Sequence, residues 1–82
     1  MKYDNITLEI FRLAKVKFPQ IENTFSENIK IYGNESINSI DVVEFIVLIE
    51  EHFGIELDIF NIDMNDFSTI KSISNILNSY LI

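Results

Sequence analysis

A serine at the predicted start of a helix is the residue in this chain best placed to take part in chemistry. Ser39 follows Asn38, and Asn is a favoured N-cap because its side-chain oxygen can accept a free backbone N–H of the first turn. A phosphate ester on the Ser39 hydroxyl would lie beside exposed N–H groups and the positive end of the helix dipole. The position therefore favours a phosphorylated or phosphodiester-bearing serine, although serine is also common at helix starts for capping alone.

Arrangements typical of catalysis or of metal binding do not occur in the sequence. His52 is the single histidine, so no Ser-His-Asp triad is indicated, and there is no G-x-S-x-G elbow, P-loop or G-x-G-x-x-G motif. A calcium loop beginning at Asp63 and Asn65 would need Gly and Glu where Ser68 and Ser74 stand. The chain has no cysteine, which excludes disulfides and thiolate metal sites. We therefore expect no enzyme activity and no metal site, and a small hydrolase has no supporting motif.

The residues after Ser39 predict the amphipathic helix that positions it. Asp41 falls in the first turn, where a carboxylate suits the helix dipole, and Gly54 provides a left-handed stop. The acidic residues Asp41, Glu44 and Glu51 lie on a different side from the apolar stripe. That stripe repeats at helical spacing and consists of Val42, Phe45, Ile46, Ile49 and Phe53.

Two segments of this helix carry a family resemblance. The segments Asn38–Phe45 (NSIDVVEF) and Leu48–Leu57 (LIEEHFGIEL) together resemble the central helix of acyl carrier proteins. The family motif is Asp-Ser-Leu-Asp, an aliphatic pair and Glu, followed later by Glu-Glu-x-Phe-Gly-Ile-Glu. This chain departs from the family in having Asn38 in place of the usual Asp, and Ser36 in place of a usual Gly. The segment Phe67–Ile73 resembles the ending of several dedicated carriers from specialised biosynthetic pathways.

The resemblance implies a function as well as a fold. The implied fold is all-α, a small three- to four-helix bundle with a long loop between the first and second helices. Ser39 would carry a covalent 4′-phosphopantetheine arm, transferred from coenzyme A by a phosphopantetheinyl transferase. The arm would hold an acyl or aminoacyl group as a thioester for loading and condensing enzymes, so the chain itself would be a carrier and a substrate, not an enzyme.

The resemblance also implies where partner enzymes would bind. In the family, acidic positions of this helix bind Lys/Arg patches on partner enzymes, and apolar positions near the serine also contact partners. The alternative is that the acidic residues are merely solvated and the apolar residues merely buried. Exposed ion pairs contribute only ~0–1 kcal/mol, which suits brief docking. The matching residues here are Ile40, Asp41, Glu44, Val47, Glu50 and Glu51.

Composition and charge narrow the class of partner. The 82 residues are expected to form one domain, 1–82, whose 48% apolar content can supply a core. The net charge is −7, and no Lys or Arg occurs between Ile31 and Ile70. Such a surface repels nucleic acid and anionic lipid and attracts basic protein patches, although acidic residues also simply keep small domains in solution. With no leader-like segment and no membrane span in the sequence, we expect a cytoplasmic monomer.

The remaining elements are predicted from caps and breakers. Asp4 or Asn5 can cap a first helix running to about Phe18, where Pro19 ends it. The long loop that follows, 19–37, contains apolar residues that can pin it to the core, Phe25, Ile29, Ile31 and Tyr32.

The second half of the chain is predicted in the same way. A short helical turn at Ile59–Met64 would begin at Asp58 or Asn61. Ser68 or Thr69 caps a last amphipathic helix. A strand at 55–59 is rejected because no partner strand is evident.

We conclude that the sequence predicts a discrete carrier protein modified at Ser39. A non-modified, carrier-like helical adaptor that binds proteins through its acidic helix remains the alternative. Fatty-acid synthesis, D-alanine transfer and specialised polyketide or peptide synthesis all use such carriers, and the Phe67–Ile73 ending favours a specialised pathway. By resemblance, bound cargo would be lined by Val43, Ile46, Phe67, Ile70 and Ile73.

Overall fold

The computed structural model describes residues 5–58 and 60–81, and it shows a small helical bundle. The prediction of an all-α fold with a long loop between the first and second helices is confirmed. The elements, in chain order, are α1 (Ile6–Lys17), α2 (Ser39–Phe53), a 3-10 helix (Met64–Phe67) and α3 (Ile70–Leu81).

Helix α1 begins and ends where caps and breakers predict. The Asn5 side chain accepts the Leu8 N–H at 3.0 Å, and Phe18 forms the C-terminal cap just before Pro19. Asp4, the other predicted cap, lies outside the described residues. Ile6, Ile10, Phe11 and Ala14 are buried, so α1 turns one apolar face toward the bundle.

The long loop between α1 and α2 is ordered by backbone hydrogen bonds to the start of α3. The Ile31 N–H donates to the Ser68 carbonyl at 2.7 Å, and the Ile70 N–H donates to the Ile29 carbonyl at 3.2 Å. Ile29 and Ile31 are buried, which confirms that they pin the loop to the core. Phe25 does so less completely, because its ring packs edge-on against Phe11 but stays 42% exposed.

The short helix before α3 lies further along the chain than predicted. The expected turn at Ile59–Met64 is wrong: the 3-10 helix spans Met64–Phe67 and is capped by Asp63, while Ile59 lies outside the described residues. Asp58 and Asn61 instead form a turn of their own. The Asn61 backbone N–H donates to the Asp58 carbonyl at 3.0 Å, and the Asn61 side-chain amide donates to the Asp58 carboxylate at 2.6 Å. Both candidate caps are therefore used locally, and the helix begins at the next one.

The apolar stripe of α2 forms the centre of the core. Phe45 packs edge-on against Phe18, with ring centroids 5.2 Å apart. All five predicted stripe residues are buried, namely Val42, Phe45, Ile46, Ile49 and Phe53.

Helix α3 closes the bundle over this core. Thr69 caps it, because the Thr69 hydroxyl accepts the Ser72 N–H and the Ser72 hydroxyl accepts the Thr69 N–H, each at 3.1 Å. Ile70, Ile73 and Leu77 are completely buried. In the described ranges, no helix has the length and apolar character needed to cross a membrane.

Candidate functional site

Ser39 is the first residue of α2 and its side chain is exposed to solvent. Asn38 caps the helix: its side-chain oxygen accepts the Ile40 N–H at 2.7 Å, and its carbonyl accepts the Val42 N–H at 3.2 Å. No hydrogen bond from a described residue occupies the Ser39 hydroxyl. The hydroxyl is therefore free to be esterified, at the positive end of a 15-residue helix.

The surroundings of Ser39 fit a phosphodiester. The backbone N–H groups of Ser39 and Asp41 belong to the first turn, where a helix provides no acceptor of its own. An esterified phosphate at Ser39 would lie close to these N–H groups and to the helix dipole, which both favour negative charge. Asn38 retains the cap but adds no carboxylate beside the ester.

The solvent-facing side of α2 combines apolar and acidic side chains. Ile40, Val43 and Val47 are 68%, 49% and 46% exposed. Because each residue advances about 100° around a helix, these three side chains, Glu44 and Glu51 fall within roughly 100° of arc, opposite the buried stripe. We call this set of five residues, Ile40, Val43, Glu44, Val47 and Glu51, the outer face of α2.

One acidic residue of the outer face is already paired within the protein. Glu44 accepts a hydrogen bond from the Lys17 ammonium at 2.8 Å, joining the end of α1 to α2. This hydrogen bond lowers the pKa of Glu44 and raises the pKa of Lys17. Asp41, one turn before Glu44, is half-buried, and its negative charge also helps to raise the pKa of Lys17.

The two acidic residues near the end of α2 have different surroundings. The Glu50 carboxylate accepts the Leu57 N–H at 2.8 Å, so it fastens the chain that leaves α2 after Gly54. Gly54 has a φ of +66°, the left-handed stop that the sequence predicts. Glu51 is exposed on the outer face. Of the predicted partner-binding residues, Glu44 and Glu50 thus each make a hydrogen bond within the fold, Glu44 to Lys17 and Glu50 to the Leu57 N–H.

Four of the five proposed cargo-lining residues lie in the core. Ile46, Phe67, Ile70 and Ile73 are all buried in the packed core, whereas Val43 belongs to the outer face. A surface depression lined by Glu56, Leu57, Asp58 and Phe60 lies instead in the connection that follows the C-terminus of α2. The expectation that Val43 lines the interior is therefore wrong, because its position on the helix turns it toward solvent.

Metal binding has no structural support in the described part of the chain. Within residues 5–58 and 60–81, no group of three or more His, Asp or Glu side chains is placed to hold a metal ion. His52, the single histidine, lies 3.1 Å from a Glu9 carboxylate oxygen.

A helical bundle that presents an exposed serine at the start of an acidic helix has the geometry of a carrier domain. The family model described as "Phosphopantetheine attachment site" matches residues 19–77, more than two thirds of the chain. Comparisons with curated proteins and with solved structures gave no match.

The chain belongs to the phosphopantetheine attachment site family. Domains of this family carry 4′-phosphopantetheine covalently on a serine, and they are non-catalytic carriers that a phosphopantetheinyl transferase modifies. The matched region begins at Pro19, just after α1, and includes Ser39, all of α2 and most of α3.

Sequence reasoning missed two contacts at this site. The Lys17–Glu44 ion pair joins residues 27 positions apart, and the Glu50–Leu57 hydrogen bond joins a helix to the loop after it. Neither contact follows a local pattern such as a cap or an i, i+4 pair. The cation-free stretch from Ile31 to Ile70 gave one indirect signal, because an ion pair between a carboxylate of α2 and a Lys or Arg had to involve a residue outside this stretch.

Proposed function

We propose that this chain is a discrete carrier protein whose 4′-phosphopantetheine arm is attached to Ser39. The observation that carries the proposal is the exposed Ser39 hydroxyl at the first position of α2, within the region that the family model matches. When attached, the arm supplies a terminal thiol that holds an acyl or aminoacyl group as a thioester. The chain's own residues present the arm and contact the enzymes that use it.

Intact mass spectrometry tests the attachment site. The protein is incubated with coenzyme A, Mg²⁺ and a broad-range phosphopantetheinyl transferase, and we expect a mass gain of one arm. Ser39→Ala should abolish this gain. Ser36→Ala is the matched control, because Ser36 is also exposed, lies three residues earlier and donates its hydroxyl to Asn34; this variant should be modified normally.

The same experiment separates the carrier from the alternative function. Absence of an arm on the parent protein, or an arm that persists in Ser39→Ala, would contradict the proposal. Asn38 favours the alternative of a non-modified adaptor, because the family normally has Asp at this position. An adaptor would keep the outer face of α2 but would gain no mass.

We also propose that the outer face of α2 binds partner enzymes, including the transferase and acyl- or aminoacyl-loading and condensing enzymes. Ile40, Val43 and Val47 supply exposed apolar contacts, and Glu44 and Glu51 supply charges that complement basic patches. Asp41 borders this face and contributes to its negative potential. These contacts are weak individually, which suits a carrier that must leave each enzyme after a single step.

Glu50 and Glu51 offer a matched pair for testing this surface. Glu51→Gln should weaken binding to the transferase and leave thermal stability unchanged, because Glu51 is exposed. Glu50→Ala should lower the free energy of unfolding by about 1–3 kcal/mol, because the Leu57 N–H loses a charged acceptor. If both variants lowered stability equally, Glu51 would belong to the fold and not to the docking surface.

The pathway and cellular setting are also proposed. We propose a specialised biosynthetic pathway in the cytoplasm; the Phe67–Ile73 ending and Asn38 in place of the usual Asp support the choice of pathway. We propose that the protein acts as a monomer, because a second copy would bring a net charge of −7 against another −7. Light scattering coupled to gel filtration tests the monomer, and transfer assays with different acyl and aminoacyl donors test the cargo.

A further inference from the structure

We propose that Lys17 is an intramolecular competitor for docking: it occupies Glu44 of the outer face, and a basic partner must displace it. This inference rests on the proposed docking function of α2. It extends that function by assigning Lys17, on α1, a role in selecting which partners bind to the outer face.

The geometry places the Lys17 ammonium in the position that a partner cation would take. It lies 2.8 Å from a Glu44 carboxylate oxygen and within the field of Asp41. Glu44 is five residues after Ser39, or about 7.5 Å along the helix axis. Lys17 therefore neutralises the outer face close to the point where cargo is presented.

A buried ring contact next to this ion pair holds α2 against the end of α1. Lys17 is followed by Phe18 and Glu44 is followed by Phe45, and these two buried rings pack edge-on at 5.2 Å. The backbones on both sides of the ion pair are thus anchored, while the charged side chains reach the surface. The Lys17 side chain is 28% exposed and that of Glu44 is 57% exposed, so a partner can reach Glu44.

The other cations in the described part of the chain are engaged elsewhere or make no ion pair with α2. Arg12 pairs with Glu9 inside α1, and Lys71 approaches Glu27 at 3.9 Å. Lys15 donates to the carbonyls of Pro19 and Ile21 and to the Asn23 side chain, which fastens the loop. Among the described Lys and Arg side chains, Lys17 alone forms an ion pair with α2.

This arrangement discriminates between partners. A partner that offers one isolated cation exchanges one ion pair for another and gains little. A partner that also contacts Glu51, or covers Ile40 and Val47, gains enough from those contacts to displace Lys17. Lys17 therefore disfavours nonspecific binding to basic proteins, which the strongly acidic surface of α2 would otherwise attract.

Binding measurements on the full-length chain test the proposal. The immobilised protein is titrated with a broad-range phosphopantetheinyl transferase without coenzyme A, at low ionic strength, by surface plasmon resonance. Lys17→Gln should lower the Kd by about two- to fivefold, the range expected for releasing one exposed ion pair. Lys71→Gln is the control for the change in net charge. It also removes one positive charge, but from α3, where Lys71 pairs with Glu27 and not with α2.

The double variant Lys17→Gln/Glu44→Gln decides whether the gain acts through Glu44. If it does, Lys17→Gln produces no gain in the Glu44→Gln background. Equal effects of Lys17→Gln and Lys71→Gln, a gain that survives without Glu44, or no gain at all would overturn the proposal. Because no modification occurs in this assay, its result is independent of whether Ser39 accepts the arm, which intact mass measures separately.

Discussion

The Phe18–Phe45 ring pair gives a direct test of how the bundle holds α2 in place. Both rings are completely buried, and their centroids lie 5.2 Å apart at an interplanar angle of 68°. Truncating a buried Phe to Ala removes its transfer free energy and leaves a cavity, with a typical loss of about 3–5 kcal/mol. The edge-to-face contact accounts for about 0.5–1.5 kcal/mol of such a loss. A domain of this size has a total stability of roughly 4–12 kcal/mol, so Phe45→Ala should remove much of it.

Urea unfolding followed by far-UV circular dichroism measures this loss by linear extrapolation. Val43→Ala is the matched control, because Val43 lies two residues earlier on the same helix but on the outer face; its effect should stay within about 0.5 kcal/mol. If Phe45→Ala does not fold, Phe45→Leu keeps an apolar side chain in the cavity and should give a smaller, measurable loss.

A double-mutant cycle isolates the ring contact from the rest of the core. The loss in Phe18→Ala/Phe45→Ala should be smaller than the sum of the two single losses by at least the contribution of the ring contact. Strict additivity would mean that the two rings contribute independently. A loss in Phe45→Ala no greater than that in Val43→Ala would refute the assignment of the buried face of α2.

Three further predictions concern the ends of α2 and its ion pair. Gly54→Ala should cost about 1–2 kcal/mol, because φ is +66° while the space around the new methyl is open; Gly54→Asn should restore part of the loss in thermal unfolding. The stabilisation that Lys17 and Glu44 share should be constant near neutral pH. It should be lost as pH falls through the lowered pKa of Glu44, below the usual 4.5, and as pH rises through the raised pKa of Lys17, above the usual 10.5. The difference in free energy of unfolding between the parent and Lys17→Gln should therefore be constant over the neutral range, about pH 6 to 9. A difference that varied with pH in this range would contradict the prediction. Asn38→Asp should keep the cap and raise kcat/KM for transfer of the arm to Ser39, since the family normally has Asp there; an unchanged kcat/KM would show that the carboxylate is dispensable.

Helix α2 could be predicted from the sequence because every signal that defines it is local. Asn38 caps it, Gly54 ends it, and the stripe centred on Phe45 repeats at the helical period. The exposure of Ser39 does not follow from that period, because Ser39, Val42 and Ile46 are spaced i, i+3, i+7 and share a face of the helix. Ser39 is exposed although Val42 and Ile46 are buried, and it lies at the first position of the helix. The family resemblance and the helix boundaries therefore rest on the same residues.

The short helix before α3 could not be located as well, because three residues were equally able to begin it. Asp58, Asn61 and Asp63 all suit an N-cap. Asp63 is the one that the structure uses, and the helix it begins ends with Phe67, which is 1% exposed. Burial of that ring, a tertiary effect, decides between caps that local propensity cannot separate.

The two faces of α2 separate stability from recognition along a single helix. Phe45 and the rest of the stripe hold the fold, while Glu51 and its neighbours on the outer face contact solvent. Substitutions on opposite faces share no contacts, so their effects on unfolding and on partner binding should be independent. Glu44 is the exception, because through Lys17 it connects the outer face to α1, and the next residue of each helix region, Phe18 and Phe45, forms the buried ring pair. A shift of α1 relative to α2 would therefore release Glu44, and stability and docking should be coupled at this one contact.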